Sequence, residues 1–261
     1  MILAPLQYAL ALIPLVVAGL LYGPAKALGQ DCPMAERFYA FEPPLTKTAK
    51  ALASKRELVI VVLGGASTVG LAAGGLGLSW PARLSSVLVG RYPSAHIKLV
   101  NLAVARQTAK AAVERLSRDV LPLKPTLVIW ETGTMEAVRG ADVDEFRETL
   151  LAGIDELRAA GADVVLMNMQ FSRETDAMIH FEPYLIAIRD LASANDVPLF
   201  RRHGMMRQWA ESELMDLRTK DAEKRRQVAA KLYDCIGRGM AEFVTRGVAA
   251  AKAAASPGND R

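Results

Sequence analysis

Five short segments made almost wholly of aliphatic residues alternate along this chain with longer segments of helical periodicity. These segments predict buried strands at residues 58–63, 97–101, 126–130, 163–168 and 197–200. Strands that are apolar throughout are typical of a parallel sheet covered by helices on both faces. The intervening residues predict helices, including one amphipathic helix over 107–120, one over 205–217 and a last one over 222–248. The pattern therefore predicts a single α/β domain.

Length and charge limit the classes of partner. The chain has 261 residues, enough for one such domain with a full core, and a formal net charge of +4. No basic stripe interleaved with aromatic residues accompanies this small charge. We therefore expect no nucleic-acid partner.

The first 29 residues differ in composition from the rest. No charged side chain occurs from Met1 to Ala25, and Ala27 and Gly29 fit a signal-peptide cleavage site. This predicts a cleaved secretory signal over residues 1–29 and a periplasmic or secreted protein. No Lys or Arg precedes the apolar run, so the alternative is an uncleaved membrane anchor formed by residues 1–25.

The remaining residues divide into an N-terminal arm over 30–56, a folded domain over 57–248 and an Ala-rich flexible tail over 249–261. Cys32 in the arm and Cys235 in the last predicted helix are the two cysteines of the chain. In an oxidising compartment they are a candidate disulfide, and the alternative is two separate thiols. Neither has neighbours at metal-ligand spacing, so we expect no metal site.

Ligands of open parallel sheets bind beyond the carboxyl ends of the strands. The first strand ends in the glycine-rich turn GGASTVG, residues 64–70. The turn lacks the GxGxxG spacing of a dinucleotide site, and the second strand ends at Asn101 with no acidic residue beside it. We therefore expect no nucleotide cofactor and no other cofactor.

Taken together, the strand ends resemble those of the SGNH (GDSL-like) hydrolase family over about residues 57–248. The matching residues are framework positions of three blocks: Gly64, Thr68 and Gly70 of the G-D-S-x-T-x-G turn, Asn101 and Thr108 of the second block, and Gly133 and Thr134 of the G-T-N-D block. The resemblance implies a flavodoxin-like three-layer α/β/α fold with a five-stranded parallel sheet, of the SGNH-hydrolase type. It also implies hydrolysis of esters and acyl groups, often on carbohydrates.

The positions that carry catalysis in that family hold other residues here. Ala66 falls on the nucleophile, Arg106 on the oxyanion glycine and Met135 on the oxyanion asparagine. Counting back from the last helix without gaps places Lys224 and Gln227 on the catalytic Asp and His. Serine hydrolysis needs a nucleophile, an oriented base and oxyanion donors, so these losses predict an inactive site.

The sequence thus favours a pseudoenzyme with a binding or scaffolding role in the cell envelope. Its remnant cleft is predicted to be formed by Gly64, Gly65, Ala66, Ser67, Asn101, Arg106, Gly133, Thr134 and Met135. An envelope glycan as ligand is implied only by the family resemblance. One alternative is a structural domain that binds a protein partner and holds no ligand in the cleft.

The other alternative is a weak esterase acting on acylated glycans, with Ser67 as nucleophile and His203 as base. The simpler roles are a turn-capping hydroxyl for Ser67 and a surface or packing residue for His203. Glu131 and Glu136 bracket the third strand end, where they either pair with Arg106 or remain solvated.

A run of basic residues, 218–231, precedes and enters the last predicted helix. Such a run is usually the solvated face of a helix. The alternative is peripheral contact with an anionic membrane surface or an acidic glycan.

Overall fold

The computed structural model of the chain describes residues 32–33, 38, 43–54, 56–215 and 219–255. The chain divides into two compact units, residues 1–33 and 34–261, and every helix and strand given below belongs to the second. The predicted signal or anchor in residues 1–29 lies outside the described residues. Among the residues that are described, no helix has the length and apolar character needed to cross a bilayer. Cys32 and Cys235 are both disulfide-bonded.

Five strands form one all-parallel sheet, as the apolar segments predict. They are β1 Leu58–Leu63, β2 Ile97–Asn101, β3 Leu127–Glu131, β4 Asp163–Met167 and β5 Leu199–Phe200. Their spatial order is β2-β1-β3-β4-β5, the flavodoxin-like order, in which β3 lies at the centre between β1 and β4. The predicted fold class is confirmed. The strand β3 runs to Glu131, one residue beyond its predicted end, which places this carboxylate at the carboxyl edge of the sheet.

The helices of the described residues cover both faces of the sheet. They are α1 Thr46–Ala53, α2 Ala66–Val69, α3 Trp80–Arg91, α4 Ala109–Val113, α5 Thr134–Arg139, α6 Val143–Ala159, α7 Arg173–Met178, α8 Glu182–Ala194, α9 Arg202–Glu211 and α10 Ala222–Ala255.

The prediction of one helix over 107–120 is wrong. The helix α4 covers only Ala109–Val113, and a separate, wider helical turn spans Leu116–Val120. Between them, Arg115 donates to the Leu102 carbonyl and pairs with Asp119, so its side chain is largely buried instead of following the polar face of a continuous helix. The predicted helix over 205–217 begins earlier, at Arg202, and ends at Glu211.

Each face of the sheet packs against its own set of helices. Val59, Val61 and Leu63 of β1 join a hydrophobic cluster that includes residues of α4, α6 and α8. Successive side chains of a strand point to opposite faces, so Ile60 and Val62 face the other layer, where α10 contacts both α1 and α3.

The helices α3 and α10 run side by side in the same direction. Arg83 pairs with Asp234 at 2.6 Å near the start of the contact, and Arg91 pairs with Glu242 at 2.8 Å near its end. Gly237 is required at their crossing, since a Cβ there would lie 2.6 Å from the Trp80 carbonyl oxygen. Residues that precede α3 therefore lie toward the first turns of α10.

Candidate functional site

The turn after β1 is built around a buried carboxylate. A Cβ at Gly64 would lie 2.5 Å from Thr68 Oγ1 and 2.7 Å from Glu131 Oε2, so only glycine allows this approach. Gly70 ends α2 with a φ of +87°, in the left-handed region that glycine adopts without strain. Asn101 Nδ2 donates to the Thr68 carbonyl at 2.8 Å and fixes the turn to the end of β2.

Glu131 is the shared acceptor of this turn. Its Oε2 accepts hydrogen bonds from the Gly65 N–H at 2.8 Å and from Thr68 Oγ1 at 2.8 Å. Ser67 Oγ lies farther from the same oxygen, at 3.4 Å. These donors hold α2 against the edge of β3.

The other carboxylate oxygen of Glu131 pairs with an arginine that lies just after the edge strand β5. Arg202 Nη2 lies 3.1 Å from Glu131 Oε1, and the two side chains are 0% and 4% exposed. Arg202 Nη1 also donates to Ser67 Oγ at 2.9 Å. Arg202 is the first residue of α9, two residues after the end of β5, so it enters the site from the first turn of that helix.

The expected partnership of Arg106 with Glu131 or Glu136 is wrong, and so is the alternative of solvated glutamates. Glu131 pairs with Arg202, while Glu136 is buried and accepts the Ala109 N–H. Burial raises the pKa of Glu136 above its usual value. Arg106 is exposed and forms no ion pair with any other described residue.

Arg106 adopts a backbone conformation that favours glycine. Its φ is +64°, in the left-handed region, which costs a non-glycine residue roughly 1–2 kcal/mol. Its carbonyl oxygen accepts from Arg139 Nη2 at 3.5 Å. The turn after β2 therefore presents a large, exposed cation from a left-handed backbone position.

A cavity of about 110 Å³ opens over these residues. Seven residues of the predicted remnant cleft line it: Gly65, Ala66, Ser67, Arg106, Gly133, Thr134 and Met135. The other two, Gly64 and Asn101, support the turn from behind. Sequence reasoning missed four lining residues, Gln107, Glu131, Thr132 and Gln170, as parts of the cleft. The position of Gln170 just after β4 is the signal that could have indicated its role.

The structure separates the two catalytic candidates. Ser67 lines the cavity, but its hydroxyl contacts Arg202 and Glu131. His203 Nε2 lies 3.0 Å from Asp176 Oδ1, and its ring packs edge-on against Phe171. No hydrogen bond joins Ser67 to His203 in the part of the chain that is described.

Lys224 and Gln227 lie away from this cavity. The helix α10 begins at Ala222, so both are exposed residues of its first two turns instead of residues of a preceding loop. Gln227 Nε2 donates to Glu223 Oε1 at 3.3 Å, along the helix. The ungapped count therefore does not identify residues of the site.

The electrostatics of His203 follow from its surroundings. Burial lowers the pKa of His203 below its usual value, and the Asp176 carboxylate opposes this shift. The neighbouring guanidinium groups of Arg207 and Arg202 lower the pKa further. Among the described residues, no group of His, Cys, Asp and Glu side chains is arranged to hold a metal ion.

Comparison with known families agrees with this geometry. The model of the non-GDSL lipase-like family matches residues 31–250, most of the chain. This chain belongs to that family. None of the curated proteins matches the sequence.

Several solved structures that are similar to this chain are esterases. The esterase EstA from Pseudoalteromonas sp. is 20% identical, with a TM-score of 0.52 over 70% of this chain and 98% of that one. A variant of Axe2, an acetyl xylan esterase from Geobacillus stearothermophilus, is 18% identical, with a TM-score of 0.53 over 59% and 81%.

A two-domain esterase active on acetylated mannans is 18% identical, with a TM-score of 0.59 over 72% of this chain and 51% of that one. At such identities the likeness establishes the SGNH-type fold.

Proposed function

We propose that this member of the family is a pseudoenzyme, which binds an acylated or anionic glycan in its cleft and does not hydrolyse it. The observation that carries the proposal is the arrangement of side chains in the glycine-rich turn after β1, residues 64–70, which we call the nucleophile turn. The family resemblance assigns the nucleophile position to Ala66, and the neighbouring Ser67 hydroxyl lies between Arg202 and Glu131.

Ser67 lacks a base that is free to act. A serine nucleophile must pass its proton to a base in hydrogen-bond contact. The acceptor nearest to Ser67 Oγ is Glu131 Oε2 at 3.4 Å, and that oxygen already accepts from Gly65 and Thr68 at 2.8 Å. The imidazole of His203 is bound to Asp176 instead.

The lining of the cavity suits a small polar group. Arg106, Gln107 and Gln170 bring donors to a space of about 110 Å³, enough for an acetyl-sized substituent and too small for a whole sugar ring with its substituents. The solved structures that act on acetylated xylan and mannan support a carbohydrate ligand. The composition of residues 1–29 supports a site outside the cytoplasm, in the cell envelope.

A weak esterase is the second candidate, since Ser67 lines the cavity and contacts a carboxylate. One experiment separates the two. Three proteins are incubated with a fluorophosphonate: the wild type, Ser67→Ala and the control Ser212→Ala, which changes an exposed serine after α9. Their intact masses are then measured by mass spectrometry. The same proteins are assayed with p-nitrophenyl acetate.

We expect no adduct and no rate above background for any of the three proteins. An adduct on the wild type and on Ser212→Ala that is absent from Ser67→Ala would overturn the pseudoenzyme proposal and establish the esterase. Binding is measured by calorimetric titration with acetylated mannooligosaccharides. Arg106→Ala should weaken it, and Arg147→Ala, an exposed cation on α6, should not. The partner-binding domain is favoured if the wild type binds no such ligand.

A further inference from the structure

The segment between α2 and α3 carries a group of exposed leucines. This leucine loop, residues 71–78, consists of two short helical turns, Leu71–Ala73 and Leu76–Leu78, separated by glycines. The side chains of Leu71, Leu76 and Leu78 are 56%, 58% and 56% exposed. Scattered exposed leucines are ordinary, but three within eight residues form an apolar surface of the kind that marks an interaction site.

The fold places the leucine loop beside the start of α10. The pairs Arg83–Asp234 and Arg91–Glu242 show that α3 and α10 run in the same direction. The loop immediately precedes α3, so it lies toward the N-terminal turns of α10, and both of its helical turns contact that helix.

This end of α10 is basic and exposed. Residues 219–231 contain five cationic side chains, all exposed: Lys220, Lys224, Arg225, Arg226 and Lys231. Asp221 and Glu223 are the acidic residues of the same stretch, and Glu223 pairs with Arg226. The net charge of this stretch is therefore positive, on the same helix that the leucine loop contacts.

We propose that the leucine loop and the basic first turns of α10 together bind the surface of an anionic lipid bilayer. The leucines enter the boundary between headgroups and acyl chains, and the cations pair with lipid phosphates and carboxylates. Each half complements a bilayer: apolar area for its interior and positive charge for its surface. This inference is independent of the proposed function of the cleft. Because Gly70 joins the loop to α2, the bound protein holds its nucleophile turn close to the membrane.

The test is binding of the full chain to vesicles, measured by sedimentation. Vesicles of pure phosphatidylcholine are compared with vesicles that contain phosphatidylserine, at low and high NaCl. The variants are Leu76→Ser with Leu78→Ser, and Lys224→Glu. The controls are Val89→Ser, an exposed apolar residue toward the far end of α3, and Arg147→Glu, an exposed cation on the opposite face of the sheet.

We expect tighter binding to the anionic vesicles, weakened by salt. The affinity should fall about fivefold or more in Lys224→Glu, since a cation at such a surface contributes about 1 kcal/mol. It should fall about tenfold or more in the double leucine variant, and the two controls should match the wild type. Equal binding to neutral vesicles, or equal loss in variants and controls, would overturn the proposal. So would a dimer that the double leucine variant alone converts to monomer without any vesicle binding, because the loop would then be an interface between copies of the chain.

Discussion

The ion pair between Glu131 and Arg202 is the buried charged contact at the centre of this cleft. Both side chains are almost fully buried, and removing two such charges from water costs several kcal/mol per ion. The hydrogen bonds from Gly65, Thr68 and the Arg202 guanidinium offset that cost. Within the described residues, Arg202 Nε remains buried without a partner. The pair is therefore sensitive to loss of either member.

Glu131→Gln should destabilise the fold by about 3–5 kcal/mol, since it leaves the Arg202 charge buried without its counterion. Arg202→Met should cost a similar amount for the converse reason. The double variant, Glu131→Gln with Arg202→Met, should lose less than the sum of the two. Urea unfolding of the three variants gives these free energies, and Glu148→Gln, an exposed glutamate of α6, is the control. Additive losses would show that the two charges are not coupled.

For individual residues, the sequence predicts the glycines of the turns better than the polar contacts of the cleft. Gly64, Gly70 and Gly133 could be placed because glycine is required wherever backbone and side chains approach closely. The partner of Glu131 could not, since Arg202 lies 71 residues away along the chain. The adjacent residues Arg201 and Arg202 at a strand end are also typical of an exposed turn, so the sequence does not indicate that Arg202 is buried.

The helices α7 and α9 are joined by the side chains of His203 and Arg173. His203, in the first turn of α9, contacts Asp176 of α7 at 3.0 Å, and its backbone N–H donates to Asn168 Oδ1 at 2.9 Å. Arg173 of α7 donates in turn to the Ala210 carbonyl of α9. The position of α7 therefore depends on the side chain of His203.

Acidification should destabilise the fold through the buried His203. Burial lowers the pKa of His203 in the folded state, whereas the unfolded chain has a histidine pKa of about 6.5. The unfolded state then binds more protons as pH falls through 6.5, so the contribution of His203 is present above that pH and lost below it. The midpoint of urea unfolding should decrease from pH 7.5 to pH 5.5, and His203→Gln should reduce this decrease.

The exposed His180 supplies the matched control, His180→Gln, which should leave the pH dependence unchanged. Glu136 acts in the opposite sense, because burial raises its pKa and its contribution is lost as pH rises. That contribution is common to the wild type and both variants, so it cancels in the comparison. A pH dependence that is the same in His203→Gln and the wild type would contradict the assignment.

The sequence predicts those helices and strands whose hydrophobic pattern is not overridden by a tertiary contact. The strands β1 and β3 are buried along their whole length because both faces of the sheet are covered, and β1 and β2 agree with prediction at both ends. The helix predicted over 107–120 fails because tertiary contacts of Arg115 override its periodicity. The assignment of Lys224 and Gln227 fails because counting along a chain does not detect where α10 begins.

On the scale of the whole molecule, α1 connects the sheet to the last helix. The Thr48 N–H and hydroxyl both donate to Asp163 Oδ2 at 2.8 Å, at the start of β4. The Leu45 N–H, just before α1, donates to the Gly247 carbonyl of α10 at 3.1 Å. Ala49 packs with Val248 and Ala251 in a separate small cluster. The C-terminal turns of α10 are thereby held by residues that precede the first strand.

Asp163→Ala should cost about 2 kcal/mol in the free energy of unfolding, because it leaves two donors of Thr48 without their acceptor. The loss should extend beyond the contact, since α1 shields Val248 and Ala251 of α10. Hydrogen exchange of amides 244–251 should therefore accelerate together with those of α1. Asp155→Ala, which removes an exposed carboxylate of α6, is the control for charge. If exchange accelerates in α1 alone, the last turns of α10 are stable without it, and α1 is a local attachment instead of a connection between sheet and helix.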